Sequence, residues 1–179
     1  ATDGTPYLSF GSFWDGLKLV KLSNDATAPA EDINSIPTIA SRKKSSSDVN
    51  PPAIDDNPKD AGGNAIEAPF IFKKVKYYFL FASIDYCCKG VNSTYKMIVG
   101  RSETIQGTYI DKDGKPLTSG GGTILLQGNE KWYGVGHNST YTFDGTDYIV
   151  FHGYDAADEG KSKLIIKKLN WDSEGWPVV

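Results

Sequence analysis

Apolar and aromatic residues in this chain come in short runs separated by turn residues. Runs of about four to eight residues, rich in aromatic and β-branched side chains, are typical of β-strands. In chain order, these runs are PYLSF, LKLVKL, APFIF, YYFLFAS, YKMIVGRS, NSTYTF, DYIVFHGY and KLIIKKL, followed by a terminal GWPVV. Turn dipeptides such as Asp144-Gly145 lie between neighbouring runs. The pattern predicts an all-β protein built from hairpins.

One long stretch, Ser23 to Gly63, departs from this pattern. It is rich in Ser, Pro, Asp, Asn and Lys and poor in aromatic residues. A loop of this size inside a compact domain usually has a function or is disordered. We therefore expect a long surface loop over residues 24–63, within a single domain that extends over residues 1–179.

The hairpins also repeat along the chain. A shift of 70 positions superimposes three pairs, namely Tyr78 on Tyr148, Phe81 on Phe151 and Glu67 on His137. A shift of 71 positions in the other direction places Tyr78 on Tyr7. Similar units at a spacing near 70 residues indicate a β-propeller, although chance similarity among aromatic strands is an alternative. In this register, the first unit's counterpart of Glu67 is expected about four residues before Ala1.

Charge and hydropathy exclude two classes of partner. The chain has 19 Lys and Arg residues against 22 Asp and Glu residues, and the basic residues are scattered. We therefore expect no nucleic-acid partner. No apolar run approaches the roughly 20 residues that span a bilayer, so we expect no membrane partner either.

Glu67 is the first candidate for chemistry, because it is a lone carboxylate at the start of an otherwise apolar and aromatic hairpin. Such a group must be solvated, paired or used. A carboxyl group at the mouth of a propeller channel could act as a general acid. The alternative is a strand-entry residue paired with Lys or Arg on the rim.

Histidines and cysteines leave several possibilities open. His137 could be a metal ligand, a general base or a core histidine, whereas His152 lies within a strand and is interpreted as a structural or lining residue. Cys87 and Cys88 are adjacent, and neighbouring Cα atoms about 3.8 Å apart would make a disulfide strained. The sequence is therefore compatible with either two free thiols or a bond.

Phe13 and Trp14 lie at the end of a predicted strand that would reach the channel rim. Aromatic faces there could stack on a sugar ring, and the alternative is ordinary core packing.

Taken together, these segments resemble the endo-1,5-α-L-arabinanases of glycoside hydrolase family 43. The resemblance covers nearly all of the chain outside Ser23–Gly63. It rests on FGSFWDGLKL, NAIEAPFIFKKVKYYFLFAS, DYCCKGVNSTYKMIVGRS, SGGGTILLQ, GVGHNSTYTFDGTDYIVFHGYDA and LNWDSEGWPVV. It implies a five-bladed β-propeller, of which this chain supplies roughly the last three blades and lacks the N-terminal ones.

The resemblance also implies an activity, the inverting hydrolysis of internal α-1,5-L-arabinofuranosidic bonds of arabinan by a secreted, extracellular enzyme. Glu67 matches the general acid of the family's EAP motif. The family's two catalytic aspartates have no counterpart here, so we expect this chain alone to be inactive. The expected partner is an N-terminal fragment of the same propeller, present as a second chain. His137 matches a histidine that helps to hold calcium, mostly through waters.

The same resemblance implies contacts with the sugar. Residues that match segments bordering the subsites are Ser12, Phe13, Trp14, Cys87, Cys88, Asn92, Ser93 and Thr94. If Cys87 and Cys88 are bonded, the two sulfurs would form a flat platform under an arabinose. Alternative functions are an exo-acting family 43 arabinofuranosidase or xylosidase, and a non-catalytic fragment that binds arabino-oligosaccharide. The long loop could decide between endo and exo action by blocking the channel.

Overall fold

The computed structural model describes residues 1–43 and 64–179, and it consists of strands joined by turns. The described residues contain no α-helix, which confirms the all-β prediction. Short 3₁₀ turns occupy Ile33–Ser35, Gly90–Asn92, Leu117–Ser119 and Ala156–Asp158. The strands are β1 Tyr7–Phe10, β2 Leu17–Lys21, β3 Thr38–Ala40, β4 Ile66–Lys74, β5 Tyr77–Ile84, β6 Lys96–Ser102, β7 Thr123–Leu126, β8 Trp132–Phe143, β9 Thr146–Asp155, β10 Lys161–Lys168, β11 Asn170–Trp171 and β12 Pro177–Val178.

Antiparallel pairing organises these strands into three larger sheets, β1-β2-β3, β4-β5-β6-β7 and β8-β9-β10, and a two-stranded sheet, β11-β12. Within each sheet, every strand pairs with the next one along the chain. The β8–β9 hairpin closes with Asp144 and Gly145 at φ values of 48° and 73°. Positive φ at both central residues matches the right-handed twist of the strands. The Asp-Gly dipeptide therefore forms the hairpin turn that the sequence predicts.

Two apolar cores lie between neighbouring sheets, and β5 contributes to both. Tyr78 and Leu80 enter the core shared with β2 and β3, whereas Phe79 and Phe81 enter the core shared with β8 and β9. Because side chains of a strand alternate between faces, a strand buried on both faces must be apolar at nearly every position. The run YYFLFAS meets that requirement.

The sheets do repeat, but the predicted register is wrong by one residue. The equivalent bulges carry Ala68 (φ 52°) and His137 (φ 57°), which are 69 positions apart. Phe81 and Phe151 are not equivalent, since a shift of 69 positions places Phe81 on Val150, although both phenylalanines belong to the second core. A shift of one residue in a strand exchanges its two faces. Matching aromatic letters therefore selected residues of one shared core instead of equivalent positions.

The predicted loop over residues 24–63 is also partly wrong. Residues 33–35 form a 3₁₀ turn, and β3 pairs with β2. Ile39 and Ala40 are buried in the first core. A three-residue strand is too short to produce a hydrophobic pattern in polar surroundings. Residues 44–63 of the predicted loop lie outside the described residues. Among the described residues, no helix has the length and apolar character that a membrane crossing requires.

Candidate active site

Two hydroxyl groups hold the carboxylate of Glu67. Ser12 Oγ donates to Oε2 at 3.0 Å, and the Tyr95 hydroxyl donates to Oε1 at 2.6 Å. These residues come from the segment after β1, the start of β4 and the residue before β6. No Lys or Arg in the described parts of the chain forms an ion pair with Glu67. The alternative of a rim carboxylate paired with a cation is therefore not what the structure contains.

A bulge directs Glu67 away from the regular ladder. The pairing of β4 with β5 shifts between Glu67 and Phe70, and Ala68 has a φ of 52°. A bulge of this kind bends a strand and re-aims the side chain beside it. On the other side, Glu67 forms an isolated bridge with Ser12. Glu67 therefore stands between two sheets and can receive hydrogen bonds from both.

Tyr95 is completely buried beneath Glu67. Burial, and after it the hydrogen bond to Glu67, raises the pKa of the Tyr95 phenol. The phenol therefore stays protonated and acts as a donor to the carboxylate at all physiological pH values.

His137 lies at the matching bulge of β8 and is exposed, so the reading of a core histidine is wrong. Its backbone N–H donates to Ser83 Oγ at 2.8 Å. The ring of His152 lies 6.4 Å from that of His137 and stacks on Tyr95 at 5.7 Å. Burial, and after it the charge of His137, lowers the pKa of His152, which favours a neutral imidazole there.

These histidines border a cleft that could admit a hydrated ion. The cleft measures about 480 Å³ and is lined in part by His137, Asn138 and His152. The described residues contain no group of three or more His, Cys, Asp or Glu side chains able to hold a metal. The buried Asn138 Oδ1 has no hydrogen-bond partner. The exposed imidazole of His137 fits an ion surrounded mainly by water, and the described residues do not form a closed protein cage.

Cys87 and Cys88 are joined by a disulfide, which resolves the choice that the sequence left open. The N–H of Cys88 donates to the Tyr154 hydroxyl at 2.7 Å, and that hydroxyl lies 3.1 Å from His152 Nε2. The disulfide loop is therefore attached to β9 and to the histidine pair. Burial raises the pKa of Tyr154, so its hydroxyl stays protonated, and this hydroxyl also lies within donating distance of Cys88 Sγ, at 3.7 Å.

Phe13 and Trp14 lie next to the start of β4. The N–H of Phe13 donates to the Ile66 carbonyl at 2.9 Å, and Asn64 Nδ2 donates to the Trp14 carbonyl at 2.5 Å. The side chain of Trp14 is 70% exposed, so core packing does not explain it. An exposed indole fixed by its backbone is suited to stacking on a sugar face.

Asn92, Ser93 and Thr94 shape the loop that follows the disulfide. Ser93 Oγ accepts from the N–H of Lys89, and Thr94 Oγ1 accepts from the N–H of Tyr86, both at 3.2 Å. Asn92 is exposed. The two hydroxyl oxygens thus hold the loop, and Asn92 presents its amide outward.

Sequence reasoning did not single out Tyr95 or Tyr154, and it gave no role to Ser83. Tyr95 ends the quoted GVNSTY segment, so the motif contained it, but nothing in the letters distinguishes it from the other nine tyrosines. Its role depends on a contact with a residue 28 positions away.

Comparison with known proteins identifies the family of this chain. The model of glycosyl hydrolases family 43 matches residues 1–177. The chain is 49% identical over 176 residues to an extracellular exo-α-(1→5)-L-arabinofuranosidase of Cellvibrio japonicus, covering 98% of this chain and 48% of that protein. It is 43% identical over 175 residues to an extracellular endo-α-(1→5)-L-arabinanase of Bacillus subtilis, covering 98% and 47%.

A solved structure of the Cellvibrio cellulosa α-L-arabinanase complexed with arabinohexaose superimposes with a TM-score of 0.83 at 48% identity. The match covers 96% of this chain and 52% of that one. The chain therefore spans about half the length of the relatives that it matches.

Proposed function

Because the chain belongs to family 43 of the glycosyl hydrolases, we propose that it supplies the general acid of an inverting endo-arabinanase. Its fold is that of roughly the last three blades of a five-bladed β-propeller, as predicted. The observation that carries the proposal is the Glu67 carboxylate. Two hydroxyl groups donate to it, and no Lys or Arg among the described residues forms an ion pair with it.

In this proposal, Glu67 protonates the glycosidic oxygen as the bond breaks. Ser12 and Tyr95 fix the direction of its carboxyl group. Inversion also requires a base that activates water on the other face of the sugar, with the two carboxyl groups about 6.5–9.5 Å apart. No other Asp or Glu of the described residues joins the hydrogen-bonded group around Glu67. The base, and an aspartate that orients the acid, would come from blades outside this chain.

Two exposed apolar faces support a partner made of the missing blades. On the last sheet, Leu164 and Ile166 lie on one face of β10 and are 74% and 62% exposed. On the first sheet, Leu8 and Phe10 lie on one face of β1 and are also exposed. Contiguous apolar faces of this kind mark interaction sites. An N-terminal fragment of the same propeller would cover both faces and close the ring.

Substrate binding would use groups around the same mouth. The exposed Trp14, the half-exposed Phe13 and the outward amide of Asn92 are suited to stacking and hydrogen bonding with arabinose. The disulfide of Cys87 and Cys88 adds a rigid apolar surface. His137 would hold calcium together with water molecules, and the bound ion would supply positive charge within the channel.

The choice between endo and exo action is part of the proposal. The relatives include proteins of both kinds, at 49% and 43% identity. The exo-acting arabinofuranosidase is thus the alternative, and residues 44–63 lie outside the described residues. Both relatives are extracellular, and the disulfide is compatible with an oxidising compartment, so we propose that this protein is secreted.

Product analysis of the assembled protein on linear arabinan tests this function. The expected result is a ladder of arabino-oligosaccharides at early times. In Glu67→Gln, the rate at which these products form should fall by about 10²-fold or more. Release of arabinose alone would replace endo by exo action, and full activity in Glu67→Gln would contradict the acid role.

Mass spectrometry under native and denaturing conditions detects the partner. Binding without cleavage by a sample that contains only this chain is also expected, since the base would be missing.

A further inference from the structure

We propose that Tyr95 is a positioning residue that decides which oxygen of Glu67 carries the catalytic proton. The inference rests on the proposed role of Glu67 as general acid. It goes beyond that role by giving the two oxygens different tasks.

The geometry around the carboxyl group separates its oxygens. Tyr95 donates to Oε1 at 2.6 Å from a fully buried position, whereas Ser12 donates to Oε2 at 3.0 Å from an exposed one. A protonated carboxyl group has one oxygen that donates and one that only accepts. Because Tyr95 has a single hydroxyl hydrogen and directs it at Oε1, Oε1 becomes the acceptor. The acid proton then lies on Oε2, on the open side where a glycosidic oxygen can reach it.

The strand beside Tyr95 is shaped to hold the ring. A Cβ atom on Gly136 would lie 2.2 Å from Cδ1 and Cε1 of Tyr95, and one on Gly134 would lie 2.9 Å from its backbone nitrogen. The N–H of Val135, between these glycines, donates to the Tyr95 carbonyl at 3.0 Å. Stacking on His152 closes the other side. These contacts confine the ring in the present structure and hold its hydroxyl at Oε1 of Glu67.

Tyr95→Phe in the assembled enzyme tests this inference, because it removes the hydroxyl and keeps the ring. Two substrates are compared, arabinotetraose and the 2,4-dinitrophenyl glycoside of arabinotriose. The first has a poor leaving group that must be protonated, whereas dinitrophenolate departs without a proton. We expect kcat to fall about tenfold on arabinotetraose, a part of the 10²–10⁴-fold effect of a general acid. We expect a loss below about threefold on the dinitrophenyl substrate and little change in KM.

Tyr109→Phe is the matched control. Tyr109 is also buried, and its hydroxyl donates to the Ile105 carbonyl at 2.8 Å instead of to Glu67. We expect this variant to keep kcat on both substrates. Gly136→Ala, which displaces the Tyr95 ring without removing its hydroxyl, should reproduce the substrate-dependent loss of Tyr95→Phe.

The outcomes separate the inference from the function on which it rests. Glu67→Gln should show the same substrate dependence more strongly, and Tyr95→Phe added to Glu67→Gln should cause no further loss. Equal losses on both substrates in Tyr95→Phe, with the dependence intact in Glu67→Gln, would overturn the role of Tyr95 alone. Absence of the dependence in Glu67→Gln would overturn the acid role and this inference together.

Discussion

The backbone N–H of His137 donates a hydrogen bond to the hydroxyl oxygen of Ser83, with 2.8 Å between the nitrogen and the oxygen. Ser83 lies in β5 and is fully buried, whereas His137 lies at the bulge of β8 and is exposed. The backbone of the exposed histidine is therefore held by the neighbouring sheet. A polar serine inside an apolar strand is explained by this contact.

Ser83→Ala should destabilise the protein and displace His137. The substitution leaves the His137 N–H without a partner, which typically costs about 1–3 kcal/mol for a buried group. Urea unfolding of the assembled protein measures this loss. Ser139→Ala, an exposed serine of the same strand as His137, is the control and should change stability by less than about 0.5 kcal/mol. Equal stability of the two variants would mean that the contact is unimportant.

Calcium should stabilise the protein through His137. A ligand present at about 100 times its Kd adds roughly 2.7 kcal/mol to the free energy of unfolding. We therefore expect a chelator to lower the melting temperature of the wild type and to leave that of His137→Ala unchanged. A chelator effect that persists undiminished in His137→Ala would place the ion elsewhere, and no effect in the wild type would contradict the calcium proposal.

Asp147 should make stability depend on pH in the acid range. Burial acts to raise the pKa of Asp147, but hydrogen bonds from Lys74, Thr142 and Trp171 together outweigh it and lower the pKa. The stabilisation is therefore fully present above the ordinary carboxyl pKa of about 3.9, and it is lost as the pH falls toward the lower folded value. Asp147→Asn should lower the free energy of unfolding by about 2 kcal/mol at pH 7. This value lies between those of exposed and buried ion pairs, because Lys74 is one-third exposed.

The stability difference between wild type and Asp147→Asn, measured by urea unfolding at several pH values, checks this prediction. It should shrink as the pH falls below about 4. Asp144→Asn is the control, because Asp144 is an exposed turn residue of the same hairpin and Asn tolerates its φ of 48°. A difference that stays constant down to pH 2.5 would contradict a lowered pKa.

Reduction of the Cys87–Cys88 disulfide should affect substrate binding more than folding. A bond between adjacent residues closes almost no loop, so it restrains the unfolded chain little. It does fix the Cys88 N–H that donates to Tyr154. We expect a dithiol reductant, or the double variant Cys87→Ser/Cys88→Ser, to raise KM for arabino-oligosaccharides by about tenfold, which corresponds to roughly 1.4 kcal/mol. Melting temperature should change by less than about 3 °C.

Oligosaccharide kinetics and thermal melting of the two forms check this expectation. A loss of cooperative melting after reduction would show that the disulfide is needed for the fold, and an unchanged KM would show that it is not part of the sugar site.

The sequence by itself determined the fold class, the repetition of the hairpins and the identity of Glu67 as the residue to examine. These depend on local features, namely alternation of apolar and polar positions, Asp-Gly turns and one carboxylate in an apolar run. The register of the repeat was missed for a local reason as well. A period of two makes residues on opposite faces look equivalent when aromatic residues occupy both faces, as Phe79 and Tyr78 do.

Tertiary structure decided what surrounds Glu67. Ser12 is 55 positions before it and Tyr95 is 28 positions after it, and both hydroxyls arrive only because neighbouring sheets pack together. Burial of Ile39 also depended on the packing of sheets against each other. Hydrogen bonds between distant segments leave no periodic signal in a chain, because each partner is a single residue. The two partners meet only when the segments that carry them pack together.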